Sequence, residues 1–250
     1  MIILVAGGTG FLGSHVVRAL TRAGHTVVVH HRGFRAIPTH ADAIVNCVGI
    51  IREGPQTFRD AHVEKTRFLL RLGKKYRVRQ FVQVSAIGAR EDGTPYQRTK
   101  FLAEELVRRS GLPFAIVRPS MLFGPGDRSI NTFRAIARTG FLPLFANGTV
   151  QPVSVDTVAS LIAAVVSRRV RDRVVEVGGP EVMTYRELAD RIHPGVRSFL
   201  LPRPLRAALT FIGRFIPPLP TPDMTRMLAE HNATSDRTVE RLGIENPRLR

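Results

Sequence analysis

The sequence predicts an α/β fold: a doubly wound parallel sheet with helices on both faces and a small C-terminal substrate or partner region beside it. Three observations carry this expectation. Short apolar runs alternate with stretches of helical periodicity through the first half of the chain, the pattern of strand–helix–strand units. A glycine-rich turn separates the first apolar run from the first helix. The 250 residues, 44% hydrophobic and 23% charged, have the make-up of a globular protein with one sizeable core. The larger unit is expected to comprise residues 1–130 and 151–177, and the smaller one residues 131–150 and 178–250.

Residues 2–6 read as a buried strand, and the segment from about 11 to 23 as a helix ending near Gly24. Between them lies "AGGTGFLG". Glycine inside an element costs roughly 0.5–1 kcal/mol relative to alanine, so Gly7, Gly8, Gly10 and Gly13 together demand a ligand or an unusually close packing contact. Gly7, Gly10 and Gly13 form a G-x-x-G-x-x-G series between strand and helix. There, glycines permit a tight turn, close approach of backbone to a pyrophosphate, and close helix–strand packing. The helix N-terminus adds free N–H groups and a partial positive charge for phosphates. A dinucleotide site is expected; a glycine-rich turn without ligand is the alternative.

Val27-Val28-Val29 is the second strand. A site for NAD usually carries Asp or Glu near its end, about 20 residues on, for the ribose 2′-hydroxyl. This chain has His30-His31-Arg32 with Arg35 nearby and no acid. An arginine suits a 2′-phosphate through paired charge-assisted hydrogen bonds, which favours NADP(H) over NAD(H), unless Arg32 is simply one arginine among many. Asp42 follows only ten positions later, too few for the crossover of a dozen or more residues that a further parallel strand needs. The sheet is therefore expected to lack its third strand and to end at the second. Residues 43–48 read as a strand, about 60–72 as a helix, 81–84 as a strand, 96–109 as a helix, and 114–117 as a strand closed by Arg118-Pro119.

A second constellation lies in "VSAIGAREDGTPYQRTKFLAEEL". Tyr96 and Lys100 stand four apart and so share one helix face. Ser85 falls at the end of the preceding strand, where a parallel sheet presents its ligand-facing edge. An ammonium beside a phenol stabilises the phenolate and lowers the phenol pKa, fitting Tyr96 for acid–base work nearer neutral pH. A serine hydroxyl can hold the oxygen that receives the proton. Nearly every cation in this chain is arginine, yet a lysine stands here; guanidinium is too basic and too planar for the role.

The single Cys47 excludes an internal disulfide and suits a reducing compartment. No apolar run approaches the roughly 18 residues that span a bilayer, and no basic region precedes an apolar stretch at the N-terminus. A cytoplasmic location is expected, with the inner face of the membrane as an alternative residence. The net charge of +17 reads either as arginine-biased composition on solvated faces or as an anionic partner surface. Without interleaved aromatic residues, it gives no stacking platform for nucleic acid, and none is expected to bind. In "FLLPRPLRAALTFIGRFIPPLPTP", Leu205, Ala208, Leu209, Ile212, Phe215 and Ile216 recur at helical spacing, with Arg203, Arg206 and Arg214 outside that set. A helix packed over the substrate cleft is the expectation; seating on an anionic membrane surface or on a partner is the alternative.

With these motifs the chain resembles the extended and atypical short-chain dehydrogenase/reductase family. Within that family it is most similar to the group around the nucleotide-binding accessory subunit of respiratory complex I and its bacterial relatives. The stretches "AGGTGFLGSHVVRAL", "AIVNCVGII", "HVEKTRFLL", "VQVSAIGA", "PYQRTKFLAEE", "FAIVRPSMLFGPGD", "QPVSVDTVA" and "VEVGGPEVMTYREL" run in the family's order. The resemblance implies a Rossmann-type domain that binds NADP(H), with no metal. It assigns Gly7, Gly10, Phe11, Leu12 and Gly13 to the pyrophosphate and Arg32 to the 2′-phosphate. Val48 and Gly49 would line the cofactor's far half, and Pro119 would sit by the nicotinamide. Ser85, Tyr96 and Lys100 fall at the catalytic positions. A helix position where many relatives carry a catalytic asparagine falls at His62, a departure. Two functions follow: an NADPH-dependent reductase of a small-molecule carbonyl or quinone-like substrate, or a non-catalytic nucleotide-binding protein docked on a respiratory-complex partner.

Overall fold

The computed structural model describes residues 1–30, 38–127, 129–168, 170–216 and 219–249. In chain order the elements are β1 (Ile2–Ala6), α1 (Phe11–Arg22), β2 (Thr26–His30), β3 (Ala43–Asn46), a π-helical turn (Arg59–Glu64) running into α2 (Lys65–Tyr76), β4 (Gln80–Val84), α3 (Pro95–Arg108) and β5 (Phe114–Pro119). There follow β6 (Leu122–Phe123), α4 (Ser129–Ala137), β7 (Phe141–Leu144), β8 (Thr149–Val150), β9 (Val153–Ser154), α5 (Val155–Arg168) and β10 (Arg173–Val177). The last are β11 (Met183–Thr184), α6 (Tyr185–Ile192), β12 (Arg197–Leu200), α7 (Arg203–Ile212), α8 (Pro222–Leu228), β13 (His231–Asn232) and α9 (Thr238–Arg241).

Six strands form one sheet in the order β10-β5-β4-β3-β1-β2, with every neighbouring pair parallel. Strand periodicity divides its side chains between two cores. Ile3, Val5, Val45, Val82 and Val117 meet Leu12, Val16 and Leu20 of α1 and Val158, Leu161, Ile162 and Val165 of α5 on one face. Leu4, Ile44, Phe81 and Ile116 meet Leu69 and Leu70 of α2 and Val107 of α3 on the other. Each such fully buried aliphatic side chain contributes about 1.5–3 kcal/mol, so both helical layers are held by the same strands. Among the described residues β2 ends the sheet, as the short 32–42 interval predicts, and Val27–Val29 are only half-buried.

A third apolar cluster joins Ile130, Leu142, Leu144, Val150, Tyr185 and Leu188 beyond the carboxyl ends of the strands. One expectation is corrected here. The stretch at 203–216 is not packed as core: Thr210 is the one buried residue of α7, while Leu205, Phe211, Ile212, Phe215 and Ile216 are all exposed. The periodicity matches the amphipathic helix α7, but periodicity does not say what covers the apolar stripe.

Candidate functional site

The first crossing turn is built by glycine. Gly7 sits at φ +75°, and its carbonyl accepts from Gly10 N at 3.0 Å. A Cβ on Gly13 would overlap the Gly7 carbonyl oxygen, so α1 can begin this close to β1 only with glycine there. No side chain caps α1, which leaves first-turn N–H groups for an anion. Leu12 turns its side chain into the core and can offer a ligand only its backbone. Phe11 packs edge-on against His15, with ring centroids 5.8 Å apart.

From Gly7 the expected residues follow one another along the carboxyl edge of the sheet. A Cβ on Gly7 would stand 3.0 Å from Val48 N, and Val48 N donates to Asn46 Oδ1 at 3.1 Å. A Cβ on Gly49 would stand 3.0 Å from Lys100 Nζ. Lys100 donates to the Val84 carbonyl at 3.3 Å, one residue before Ser85. Ser85 N donates to Val117 O at 2.7 Å, and Ile87 N to Pro119 O at 3.1 Å. The ends of β1, β3, β4 and β5 thus present Gly7, Val48, Gly49, Ser85 and Pro119 as one band, with Lys100 of α3 laid against it. Arg32 lies outside the described residues.

Helix α3 delivers Tyr96 and Lys100 because Thr94 caps it reciprocally with Gln97 and Pro95 occupies its first turn, a combination worth about 1 kcal/mol. Tyr96 is hemmed in by Phe58 at 5.8 Å and His62 at 5.4 Å between ring centroids, both edge-to-face. Lys100 Nζ stands 5.9 Å from the Tyr96 ring centroid. The expected lowering of the phenol pKa is not found. Burial pushes Tyr96 up to about 12, while Lys100 is drawn toward the Val84 carbonyl and is itself pushed down to about 8 by burial, against the opposing pull of Cys47 and Glu104. Ser85 is buried and its Oγ has no hydrogen-bond partner among the described residues.

His62, the departure noted in the sequence, has a defined place. The π-helical turn, a feature common at functional sites, carries it into the interior. Its Nε2 accepts from Ile50 N at 3.3 Å, so the proton is on Nδ1, which donates to Thr99 Oγ1 at 2.9 Å. Thr99 in turn donates to the Pro95 carbonyl at 2.8 Å. Burial, and then the Lys100 charge, push His62 down to about 3; it is a neutral strut between the loop after β3 and the start of α3. Below it, Asn46 Nδ2 donates to Thr66 Oγ1 and to Gln83 Oε1, each at 3.0 Å. Sequence reading missed Asn46, Thr66, Gln83 and Thr99. The signal for Asn46 and Gln83 was a polar residue inside the apolar runs "AIVN" and "QFVQV"; Thr66 and Thr99, on helices, gave none.

Residues 31–169 match the NAD(P)H-binding family, and residues 3–48 match the NAD dependent epimerase/dehydratase family. The chain belongs to the NAD(P)H-binding family. The chain is similar to NADH dehydrogenase [ubiquinone] 1 alpha subcomplex subunit 9, mitochondrial, of Arabidopsis thaliana, 28% identical over 96% of this chain and 71% of that protein. Ceramide reductase of Caulobacter vibrioides is 26% identical over 65% of this chain and 60% of that protein. The chain therefore spans only part of the length of these curated relatives. In fold it matches human epimerase family protein SDR39U1 (isoform 2) with NADPH, at a TM-score of 0.76 and 17% identity over 98% of this chain and 95% of that one. It is a protein of the NAD(P)H-binding type.

Proposed function

We propose that the protein is an NADPH-dependent reductase of a carbonyl or quinone-like substrate. The Ser85 hydroxyl carries this reading. A buried hydroxyl without a partner costs about 1–3 kcal/mol, and this one stands at the strand ends one residue from the carbonyl that anchors Lys100. A substrate oxygen would satisfy it. The glycine cradle fits a pyrophosphate, because the position of a Cβ on Gly10 has only the Gly7 carbonyl within contact distance. Gly7, Gly10 and Gly13, with the first-turn amides of Phe11 and Leu12, would hold the phosphates. Arg32 would hold the 2′-phosphate, and Val48, Gly49, Lys100 and Pro119 would flank the remainder.

A dihydronicotinamide held by these residues would supply the hydride for the substrate carbonyl carbon. The chain's own residues manage the oxygen. Ser85 Oγ donates to it and fixes its direction. Tyr96, held near 12, is protonated throughout the physiological range, the state a proton donor needs. As the C=O π bond is lost and C–H and O–H bonds form, Tyr96 gives up its phenolic proton and regains one from solvent. Lys100, charged at neutral pH, lies close enough to the ring to stabilise the transient phenolate. Tyr96→Phe is expected to lower NADPH oxidation against aldehydes, ketones and quinones by roughly 10²–10⁴-fold with little change in NADPH affinity by calorimetry. An unmodified protein that binds NADPH and turns over none of these compounds would refute the reductase.

The likeness to a complex I subunit over nearly the whole chain favours a second reading, a nucleotide-binding accessory protein docked on a respiratory-complex partner. Tyr96→Phe would then leave both nucleotide binding and assembly unchanged.

A further inference from the structure

We infer that the apolar face of residues 205–216, together with Ile51, seats on an anionic lipid bilayer and that the substrate is a membrane-resident amphiphile entering the site from that side. The second half of this inference rests on the reductase assignment.

Leu205, Phe211, Ile212, Phe215 and Ile216 are between 40% and 75% exposed, and Phe215 is the most exposed large apolar side chain among the described residues. A surface this apolar on a chain of charge +17 marks an interaction site. Its own segment is basic: the sequence contains no Asp or Glu between Asp190 and Asp223. Arg203 and Arg214 are exposed, and the Arg214 guanidinium lies over the Phe211 ring at 5.4 Å. Arginine beside large apolar side chains on a short helix suits the headgroup boundary of an anionic bilayer. The same charge argues against a second copy of this chain, since pairing the faces would bring two like-charged segments and two +17 molecules together. No helix among the described residues is long and apolar enough to cross a membrane, so this one would lie along the surface.

The face is tied to the site by Arg52. Its guanidinium donates to the Gly213 carbonyl at 2.5 Å and to the Leu219 carbonyl. Arg52 is three residues beyond Gly49, which abuts Lys100, and three residues reach at most about 11 Å. Ile50 N is held by His62, and Ile51, between the site and the face, is 51% exposed. The segment 49–52 is thus one lip of the site mouth, continuous with the apolar face. A molecule with a carbonyl head and a long apolar tail could present the head to Ser85 and Tyr96 while its tail remained in the lipid.

The full-length protein is mixed with vesicles of phosphatidylglycerol and phosphatidylcholine in equal parts, or of phosphatidylcholine alone, and sedimented. The expected result is binding to the anionic vesicles at low salt, release of most protein at about 0.5 M salt, and loss of binding by roughly tenfold or more in the exposed-site double variant Phe211→Ser, Phe215→Ser. A long-chain ketone bearing a diazirine, dissolved in the anionic vesicles, should label residues 205–216 and either 49–52 or 85–96 on photolysis. No binding to anionic vesicles overturns the docking surface. So does a dimer in sedimentation velocity that the double variant dissolves, which would assign the face to a second copy. Labelling that misses 49–52 and 85–96 overturns the entry route. NADPH oxidation is read separately with the same long-chain ketone and with long-chain quinones presented in neutral detergent micelles, where docking on an anionic bilayer plays no part. Absence of turnover with vesicle binding intact would overturn the reductase and leave the docking surface standing.

Discussion

At the scale of single residues, the candidate centre depends on which proton sits where. Lys100 is held near 8 by burial, so the charge proposed to steady Tyr96 is present at neutral pH and lost as pH rises through about 8. Plots of kcat/KM against pH should therefore bend downward near 8, and the same limb should be absent in Lys100→Met. His62, held near 3, should add no inflection near 6.5. The linkage to stability has the opposite sense. A lysine whose folded pKa lies below its unfolded value weakens the fold where it is charged, so its contribution should improve between about pH 8 and 10.5. Lys100→Arg should fail to restore turnover despite keeping charge, because Gly49 closes the slot around Nζ and guanidinium is planar; turnover near that of the unmodified protein would contradict this. Ser85, Tyr96 and Lys100 stand out in the sequence as candidates because of their spacing and residue type. The protonation balance does not, since burial outweighed the ion that sequence proximity suggested.

At the scale of elements, α3 is the part that must be held still, and its N-terminus is tied to the C-terminal region. Glu230 accepts from Arg90 at 2.6 and 2.9 Å and from Gln97 at 2.6 Å, while Gln97 also closes the cap on Thr94 at 2.8 Å. Arg90 holds the Glu230 carboxyl below its usual range. Glu230→Ala should cost about 1–2 kcal/mol, discounted because both partners are partly exposed, and lower Tm by a few degrees. It should reduce kcat more than it weakens NADPH binding, because on the proposed assignment the phosphates would be held by α1 and not α3. Equal loss in both would reject the positioning role. The helix itself was readable from its apolar spacing, and Pro95–Arg108 falls within a residue of the expected 96–109. Its tether was not, because Gln97 and Glu230 are 133 positions apart. The helix expected at 60–72 begins instead as a π-helical turn at Arg59, a deviation that no side-chain periodicity announces.

At the scale of the molecule, the edge of the sheet followed from length: too few residues separate Arg32 from Asp42 for another crossover, and β2 is the edge among the described residues. The C-terminal region was less legible because its apolar stripe faces outward, and a sequence does not distinguish a stripe meant for core from one meant for a surface. Cofactor preference belongs to this scale also, since the basic residues that follow β2 in the sequence would meet one end of a whole dinucleotide. NADPH should bind more tightly than NADH in calorimetry, and Arg32→Asp should narrow or invert the difference; equal affinities in the unmodified protein would overturn the preference. The half-exposed strand β2 has one more consequence, in colloidal behaviour. Thr26-Val27-Val28-Val29 is apolar, β-prone and uncharged, and a terminal strand of that kind is a template for edge-to-edge recruitment of other copies. Mutual repulsion of molecules carrying +17 is then the safeguard against it. Concentrated salt should remove that safeguard, and light scattering during refolding should rise with ionic strength and fall again when Val28 is replaced by lysine.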